Sequence, residues 1–298
     1  MPTPASDDVW LREGRGIAPK LKWRQMCDGN LVGLALARET GETFVADSSG
    51  AITRIDRAGK ILSMTRTRQP VQRMAWCDHG DAGVVVTNDN VIRRIDRSLK
   101  QIWEAEVPDA CLAVAITPYG NQMAVSLADA GVQIYNERQK RLAHFETVRP
   151  LSFLQFGAAQ PVLFGAADHG ILCCHNLAGA QLWQEKHFAN VGAFVITGDG
   201  DLLYLASFTH GIQTYDGDGG DVGSYVLEGT INRVAATFEP QRIVASTIER
   251  YLYWLDSDGE MLWATGAPSD IHSLACDPLG EWVIVGFANG QVLRLDWS

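Results

Sequence analysis

The sequence predicts an all-β fold, a closed seven-bladed β-propeller with four antiparallel strands in each blade. Two observations predict it. A polar turn residue that follows an apolar strand recurs every 40 residues along the 298-residue chain, and apolar columns run in the same register. The seven copies of the turn residue are Asp56, Asp96, Asn136, Asn176, Asp216, Asp256 and Asp296. Seven equal units of this length are typical of propeller blades.

Each unit divides into four short strands separated by turn residues. In the first unit the predicted strands are residues 31–37, 43–47, 51–55 and 60–66. The turn between the last two begins at Asp56 and has Gly59 three positions later, which favours a type I turn closed by a left-handed glycine. Strands this closely spaced leave no room for crossover helices, so the pattern excludes a parallel α/β sheet.

The two ends of the chain predict how the ring closes. The seventh unit stops after its third strand, whereas residues 20–26 continue the register of a fourth strand, with Trp23 lying 40 positions before Ser63. The same column holds further tryptophans, which predicts blade-to-blade packing: Trp103, Trp183 and Trp263. We therefore expect residues 20–26 to be the outer strand of blade seven, which removes open sheet edges.

This assignment gives an N-terminal tail, residues 1–16, and a single propeller domain, residues 17–298. The tail contains Trp10 outside the repeats. Two interpretations remain open for it, disorder or a short segment that anchors on the ring or on a partner.

The composition and the cysteine residues indicate in which cellular compartment the protein is located. Residues are 46% hydrophobic and 20% charged, and the apolar runs are too short for a transmembrane helix. The start of the chain lacks the basic patch and apolar stretch of a secretory signal. The six cysteines show no CxxC pair and no disulfide framework. We expect a cytoplasmic protein that has no membrane partner.

Charge is distributed unevenly along the chain. The net charge of −10 disfavours nucleic acid as a partner. Residues 191–298 hold four arginines and fifteen acidic residues, whereas residues 51–106 hold ten basic and seven acidic residues. The sequence thus predicts an acidic arc on blades five to seven and a basic arc on blades one and two. Such arcs can steer a charged partner protein, or they can be a solvated surface.

No catalytic residue, metal site or cofactor is predicted. The periodic Asp and Asn residues are interpreted as turn formers because their spacing follows the repeat. His169, Cys173, Cys174 and His175 cluster in blade four, but their spacing is poor for zinc, and structural cysteines are the preferred interpretation.

A column of small residues predicts which side chains face the propeller axis. It is small at six of seven positions: Ala35, Ala75, Ala115, Gln155, Val195, Ala235 and Ala275. The two-residue period of a strand places Arg73 and Arg233 on the same side, at one mouth of the central channel. Two guanidinium groups there can receive a carboxylate or phosphate. Alternatively, each pairs with a neighbouring acidic residue of the fold. The predicted binding residues are Arg73, Arg233, Phe153, His272 and Asn232.

Two segments carry a family resemblance. YLYWLDSDGEMLW (251–263), with VIRRIDRSLKQIW and ILCCHNLAGAQLW, resembles the PQQ-like (quinoprotein-like) repeat. IHSLACDPLGEWVIVGFANGQVLRLD (271–296) is similar to WD-repeat blades. The resemblance covers about residues 20–297, and what it implies is a protein-interaction platform.

We therefore expect a non-enzymatic scaffold that binds a partner protein or peptide on a propeller face or on the charged arcs. The top face is defined here as the face where the first strand of each blade begins. The loops that lead into these strands contain Asn30, Pro70, Ala110, Pro150, Asn190, Thr230 and Asp270. The alternative is a small-ligand binder or enzyme that works at the channel mouth through Arg73 and Arg233.

Overall fold

Each of the seven repeats forms one four-stranded antiparallel sheet, as the computed structural model of residues 8–187 and 189–297 shows. The chain begins with a short helix and two strands: α1 (Val9–Arg12), β1 (Arg15–Gly16) and β2 (Lys20–Met26). Blade one contains β3 (Leu31–Ala37), β4 (Glu42–Asp47), β5 (Ala51–Ile55) and β6 (Ile61–Arg66). These bounds agree with the predicted strands to within one residue.

The next three blades repeat this order. Blade two contains β7 (Val71–Trp76), β8 (Ala82–Thr87), β9 (Val91–Asp96) and β10 (Gln101–Glu106). Blade three contains β11 (Cys111–Ile116), β12 (Gln122–Leu127), β13 (Gly131–Asn136) and β14 (Arg141–Glu146). Blade four contains β15 (Phe153–Phe156), β16 (Val162–Ala166), β17 (Leu172–Asn176) and β18 (Gln181–Glu185).

The last three blades complete the ring. Blade five contains β19 (Val191–Ile196), β20 (Leu202–Ser207), β21 (Gly211–Asp216) and β22 (Asp221–Tyr225). Blade six contains β23 (Ile231–Ala236), β24 (Arg242–Thr247), β25 (Tyr251–Asp256) and β26 (Met261–Gly266). Blade seven contains β27 (Ile271–Cys276), β28 (Trp282–Phe287) and β29 (Gln291–Asp296). The first strand of each blade contacts those of both neighbours, and β27 contacts β3.

The fourth strand of blade seven comes from the other end of the chain. Strand β2 pairs antiparallel with β29, with Lys20 opposite Asp296 and Met26 opposite Gln291. The predicted closure by residues 20–26 is therefore confirmed. The seam, as this β2–β29 pairing is called below, joins the two ends of the chain in one sheet.

The periodic Asp and Asn residues close the hairpins between third and fourth strands. In blade one the Asp56 carboxylate accepts hydrogen bonds from the backbone N–H groups of Ala58 (2.9 Å) and Lys60 (2.8 Å). Gly59 has φ = 89°, which a glycine adopts without strain. The same two bonds recur at Asn136, Asn176, Asp216 and Asp256. These side chains and Asp96, which accepts from the Lys100 N–H at 2.9 Å, are turn formers as their spacing predicts, whereas the seventh, Asp296, closes no hairpin and pairs with Arg294.

The tryptophan column joins neighbouring blades. The indole Nε1–H groups of Trp23, Trp103 and Trp183 each donate to a backbone carbonyl of the next blade, at 3.2, 2.9 and 3.0 Å. Trp263 is fully buried and meets the ring of Trp297 edge-on, with centroids 5.6 Å apart. Packing and hydrogen bonding between blades thus use the same residues, which confirms the structural interpretation of this column.

Residues 9–16 dock on blade six. Leu11 is 3% exposed and belongs to the apolar cluster that includes Trp263. Strand β1 adds a fifth strand to this blade, with Arg15 opposite Ala264. Of the two interpretations of the tail, anchoring on the ring holds for these residues, whereas residues 1–7 lie outside the described part of the chain. Across the described residues, no helix has the length and apolarity needed to cross a membrane.

Candidate functional site

A central channel runs along the propeller axis through two adjoining cavities. The upper cavity, on the top face, has a volume of about 620 Å³ and the lower one about 300 Å³. The lower cavity is lined by the whole column of small residues predicted to face the axis: Ala35, Ala75, Ala115, Gln155, Val195, Ala235 and Ala275. The two cavities meet because both include the same five apolar residues: Leu34, Met74, Val114, Leu154 and Leu274.

The upper cavity brings together four of the five predicted binding residues. Arg73, Phe153, Arg233 and His272 all line it. They come from the first strands of blades two, four, six and seven, which converge on the axis. Residues 73, 153 and 233 occupy the same position in their repeats. Because the blades form a closed ring, these positions all face the propeller axis.

Arg73 is exposed at the channel mouth and is held by backbone carbonyls. Its Nε–H donates to the carbonyl of Leu112 in blade three at 2.7 Å, and its Nη1–H donates to that of Gln72 at 2.8 Å. These bonds fix the direction of the guanidinium group. Because carbonyl oxygens carry only partial charge, its positive charge is not neutralised.

Arg233 is half-buried and connects three blades. Its Nε–H donates to the carbonyl of His272 in blade seven at 2.5 Å. Its Nη1–H donates to the carbonyls of Gly192 in blade five (3.0 Å) and Asn232 (2.7 Å). Burial lowers the pKa of Arg233, yet an arginine side chain stays protonated in proteins.

The alternative in which each arginine pairs with an acidic residue of the fold is wrong. The described residues that line the upper cavity include no aspartate or glutamate. Nor does any described residue accept a hydrogen bond from Nη2 of Arg73 or Arg233. The mouth therefore presents two cations whose charges are uncompensated by nearby carboxylates.

The pKa of His272 is lowered by its surroundings at the mouth. Burial lowers its pKa to about 4, and the charges of Arg233 and Arg73 act in the same direction. Its Nδ1 lies 2.8 Å from the Ser273 hydroxyl oxygen. The imidazole is therefore neutral at physiological pH, and an anion bound at the mouth would raise its pKa.

The remaining two predicted residues have different surroundings. Phe153 lines the upper cavity and also packs against the apolar cluster of blades four and five. Asn232 does not face the cavity with its side chain, because its Oδ1 accepts a hydrogen bond from the Ser246 hydroxyl at 3.1 Å. Its contribution to the mouth is the backbone carbonyl that holds Arg233.

The lower mouth carries an ion pair that the sequence analysis did not identify. Arg38 of blade one makes two hydrogen bonds to Asp78 of blade two, at 2.8 and 2.7 Å. Arg38 and Asp78 occupy the same position in adjacent repeats. This one-repeat spacing is the feature of the sequence from which the ion pair could have been predicted. This pair neutralises the lower rim, in contrast to the upper mouth.

The basic arc of blades one and two is partly neutralised by ion pairs. The Glu42 carboxylate forms ion pairs with Arg54 at 2.6 Å and with Arg97 at 2.7 Å. The Glu42 side chain is only 8% exposed. Arg66 pairs with Asp28 at 2.7 Å on the surface. The formal excess of basic residues in this segment therefore overstates the charge that a partner would meet.

Neither a protein-family model nor a curated protein sequence matches this chain. Within residues 8–187 and 189–297, no three His, Cys, Asp or Glu side chains come together as a metal site would require. Any function proposed for this protein therefore rests on the geometry of the upper mouth.

Proposed function

We propose that this propeller is a non-catalytic binding platform that holds an acidic segment of a partner protein over the channel mouth of its top face. One observation carries the proposal. Arg73 and Arg233 line that mouth, are oriented by backbone carbonyls, and meet no carboxylate among the described lining residues. A partner carboxylate would supply the missing charge.

The arrangement favours recognition because its geometry is fixed before binding. The carbonyl acceptors already hold both guanidinium groups, so little side-chain entropy remains to be lost when an anion arrives. On each arginine Nε and Nη1 already donate to carbonyls, so the two N–H bonds of Nη2 remain as donors for a carboxylate. Charge-assisted hydrogen bonds of this kind are about twice as strong as neutral ones.

The resemblance to WD-repeat and PQQ-like blades supports the same proposal. What the resemblance implies is an interaction platform, with the loops of the top face framing the mouth. The proposed setting is the cytoplasm, since the free cysteines form no disulfide among the described residues. Fold-level analogy alone does not establish function, so the proposal depends on the mouth.

An affinity pull-down from the native cell, read by mass spectrometry at low and physiological salt, tests the proposal. The wild-type protein should retain a near-stoichiometric partner whose capture falls as salt rises. The double variant Arg73→Lys/Arg233→Lys keeps both charges but loses the guanidinium groups that the carbonyls hold in a fixed direction, and should reduce capture about tenfold or more.

Arg138→Lys/Arg141→Lys is the matched control, because both side chains are exposed in blade three and do not line the channel. Melting curves of both double variants show whether the ring stays folded. Equal capture by the wild type and the Arg73/Arg233 variant would overturn the proposal.

A further inference from the structure

Below the arginines the channel becomes apolar. The five residues shared by the two cavities are leucine, methionine or valine, and they form a waist between them. The lower cavity continues with five alanines and Val195. A group that enters from the top face therefore passes from two cations to a waist of apolar side chains and then to a column of small side chains.

The polar groups of the lower channel are already satisfied. The Gln155 amide is used on blade five, where its Nε2 donates to the Ile196 carbonyl at 3.2 Å and its Oε1 accepts from the Ile196 N–H at 3.1 Å. The Asp78 carboxylate at the lower rim is occupied by Arg38. The Gln155 amide and the Asp78 carboxylate of the lower channel are therefore engaged within the protein, while the alanine column and the waist offer a ligand apolar contact.

The volumes suit a ligand of moderate size. Sites for small molecules measure roughly 300–1,000 Å³ and combine apolar walls with a few fixed polar groups. The upper cavity of 620 Å³ and the lower cavity of 300 Å³ both lie in this range. Burial of each methylene from water is favourable by about 0.8 kcal/mol, so an apolar chain below the waist would add to affinity.

The geometry points to a carboxylate that carries an apolar chain as the ligand of this channel. Its head would lie on Arg73 and Arg233, and its chain would pass the waist beside Met74 into the alanine-lined part. This inference rests on the proposed function, because both use the same two arginines. The chemistry has two sources, a free aliphatic carboxylate or the C-terminal carboxylate of a partner whose last side chain is apolar.

Isothermal titration calorimetry of the full chain tests the inference with decanoate as the probe. Decanoate should bind with a stoichiometry of one, and octanoate should bind roughly fifteenfold more weakly because two methylenes are lost. Decylammonium should not bind, since its charge has the wrong sign for the mouth. The variant Arg73→Lys/Arg233→Lys should weaken decanoate binding.

A variant that narrows the tube separates chain recognition from head recognition. Ala75→Leu/Ala275→Leu fills the alanine-lined part and should weaken decanoate binding about tenfold or more. Ala178→Leu is the control, because Ala178 is exposed in a hairpin of blade four and does not line the channel. Decanoate affinity unchanged by the Ala75/Ala275 variant would overturn the inference, provided that its melting curve shows a folded ring.

A peptide arm distinguishes the two sources. Acetyl-Gly-Gly-Gly-Leu with a free carboxylate should bind more tightly than its carboxamide and compete with decanoate if a partner terminus is the ligand. Binding of decanoate without the peptide assigns a free aliphatic carboxylate. If neither probe binds while partner capture still depends on Arg73 and Arg233, this inference fails and the proposed function stands. If capture is also independent of the arginines, both fail.

Discussion

The arginines of this propeller fall into two groups that differ in what accepts their hydrogen bonds. Arg54 of blade one and Arg97 of blade two share the Glu42 carboxylate, and Arg294 pairs with Asp296 within blade seven at 2.6 Å. At the upper channel mouth, Arg73 and Arg233 donate to backbone carbonyls alone. The first group is called the ring arginines below and the second the mouth arginines.

The difference separates stability from recognition. A buried guanidinium paired with a carboxylate has its charge cancelled inside the fold, so breaking the pair costs stability. A guanidinium held by carbonyls is fixed in direction while its charge remains available to a ligand. The two groups should therefore respond differently to mutation, the ring arginines through unfolding and the mouth arginines through binding.

The largest effect is expected at the seam, where Arg294 lies on β29. Removing residues 1–26 deletes β2 and the buried Trp23, whose loss alone costs about 3–5 kcal/mol. Thermal unfolding followed by circular dichroism should show a large fall in Tm or a loss of cooperativity. A permuted chain in which residues 17–26 follow Ser298 through a short glycine linker should restore the part of the Tm that the seam supplies, but not the part that residues 9–16 supply on blade six. An unchanged Tm for the truncated chain would contradict the role of the seam.

The next effect tests the ring arginines directly. Burial opposes ionisation of Glu42, but the hydrogen bonds and charges of Arg54 and Arg97 outweigh it and lower the Glu42 pKa. Glu42→Gln leaves both cations without their carboxylate and should lower the free energy of unfolding by about 3 kcal/mol. Urea denaturation measures this. The comparison is sharpened by Arg73→Ala, which should change stability by less than about 1 kcal/mol and reduce partner capture instead. If Glu42→Gln and Arg73→Ala lower the free energy of unfolding equally, the ring arginines and the mouth arginines do not differ in their role in stability.

The last effect appears only below neutral pH, as a pH dependence at the mouth. His272 has a pKa of about 4 in the folded protein and an ordinary value of 6.5, so the unfolded chain takes up its proton first as pH falls. This contribution to stability is present above pH 6.5 and is lost as pH falls toward 4. His272→Gln should flatten that part of the stability curve in urea titrations. His175 and His187, whose pKa values burial also lowers, act in the same direction and stay unchanged in the variant. Identical curves for both proteins would show that burial and the arginine charges together do not lower the pKa of His272.

The repeat allowed most of the fold to be predicted. Strict spacing located the strands, and the missing fourth strand of blade seven identified residues 20–26 as its substitute. Anchoring of the tail on the ring was one of two interpretations left open, and the sequence could neither decide between them nor indicate blade six, because residues 9–16 lie outside the repeat. Strand β1 has only two residues, which is too short to show a period.

The site was predicted in part. The two-residue period of a strand brought Arg73, Arg233 and Phe153 to the axis, because the rule depends only on position along the strand. The acceptors of the arginines could not be predicted, since every residue has a carbonyl and its direction depends on how the first strands pack. For the same reason, nothing in the sequence indicated that the Asn232 side chain turns toward Ser246.

The seam also sets an order of events during synthesis. Strand β2 leaves the ribosome early, yet its partner β29 follows only after residues 27–290 have been made. At about 5–20 residues per second, the strand waits roughly 15–50 s without a partner. Its exposed Lys20 and Lys22 discourage pairing with other nascent chains during that interval. The last blade is therefore completed only when the whole chain is available, and a ring left unfinished by premature termination keeps an open edge.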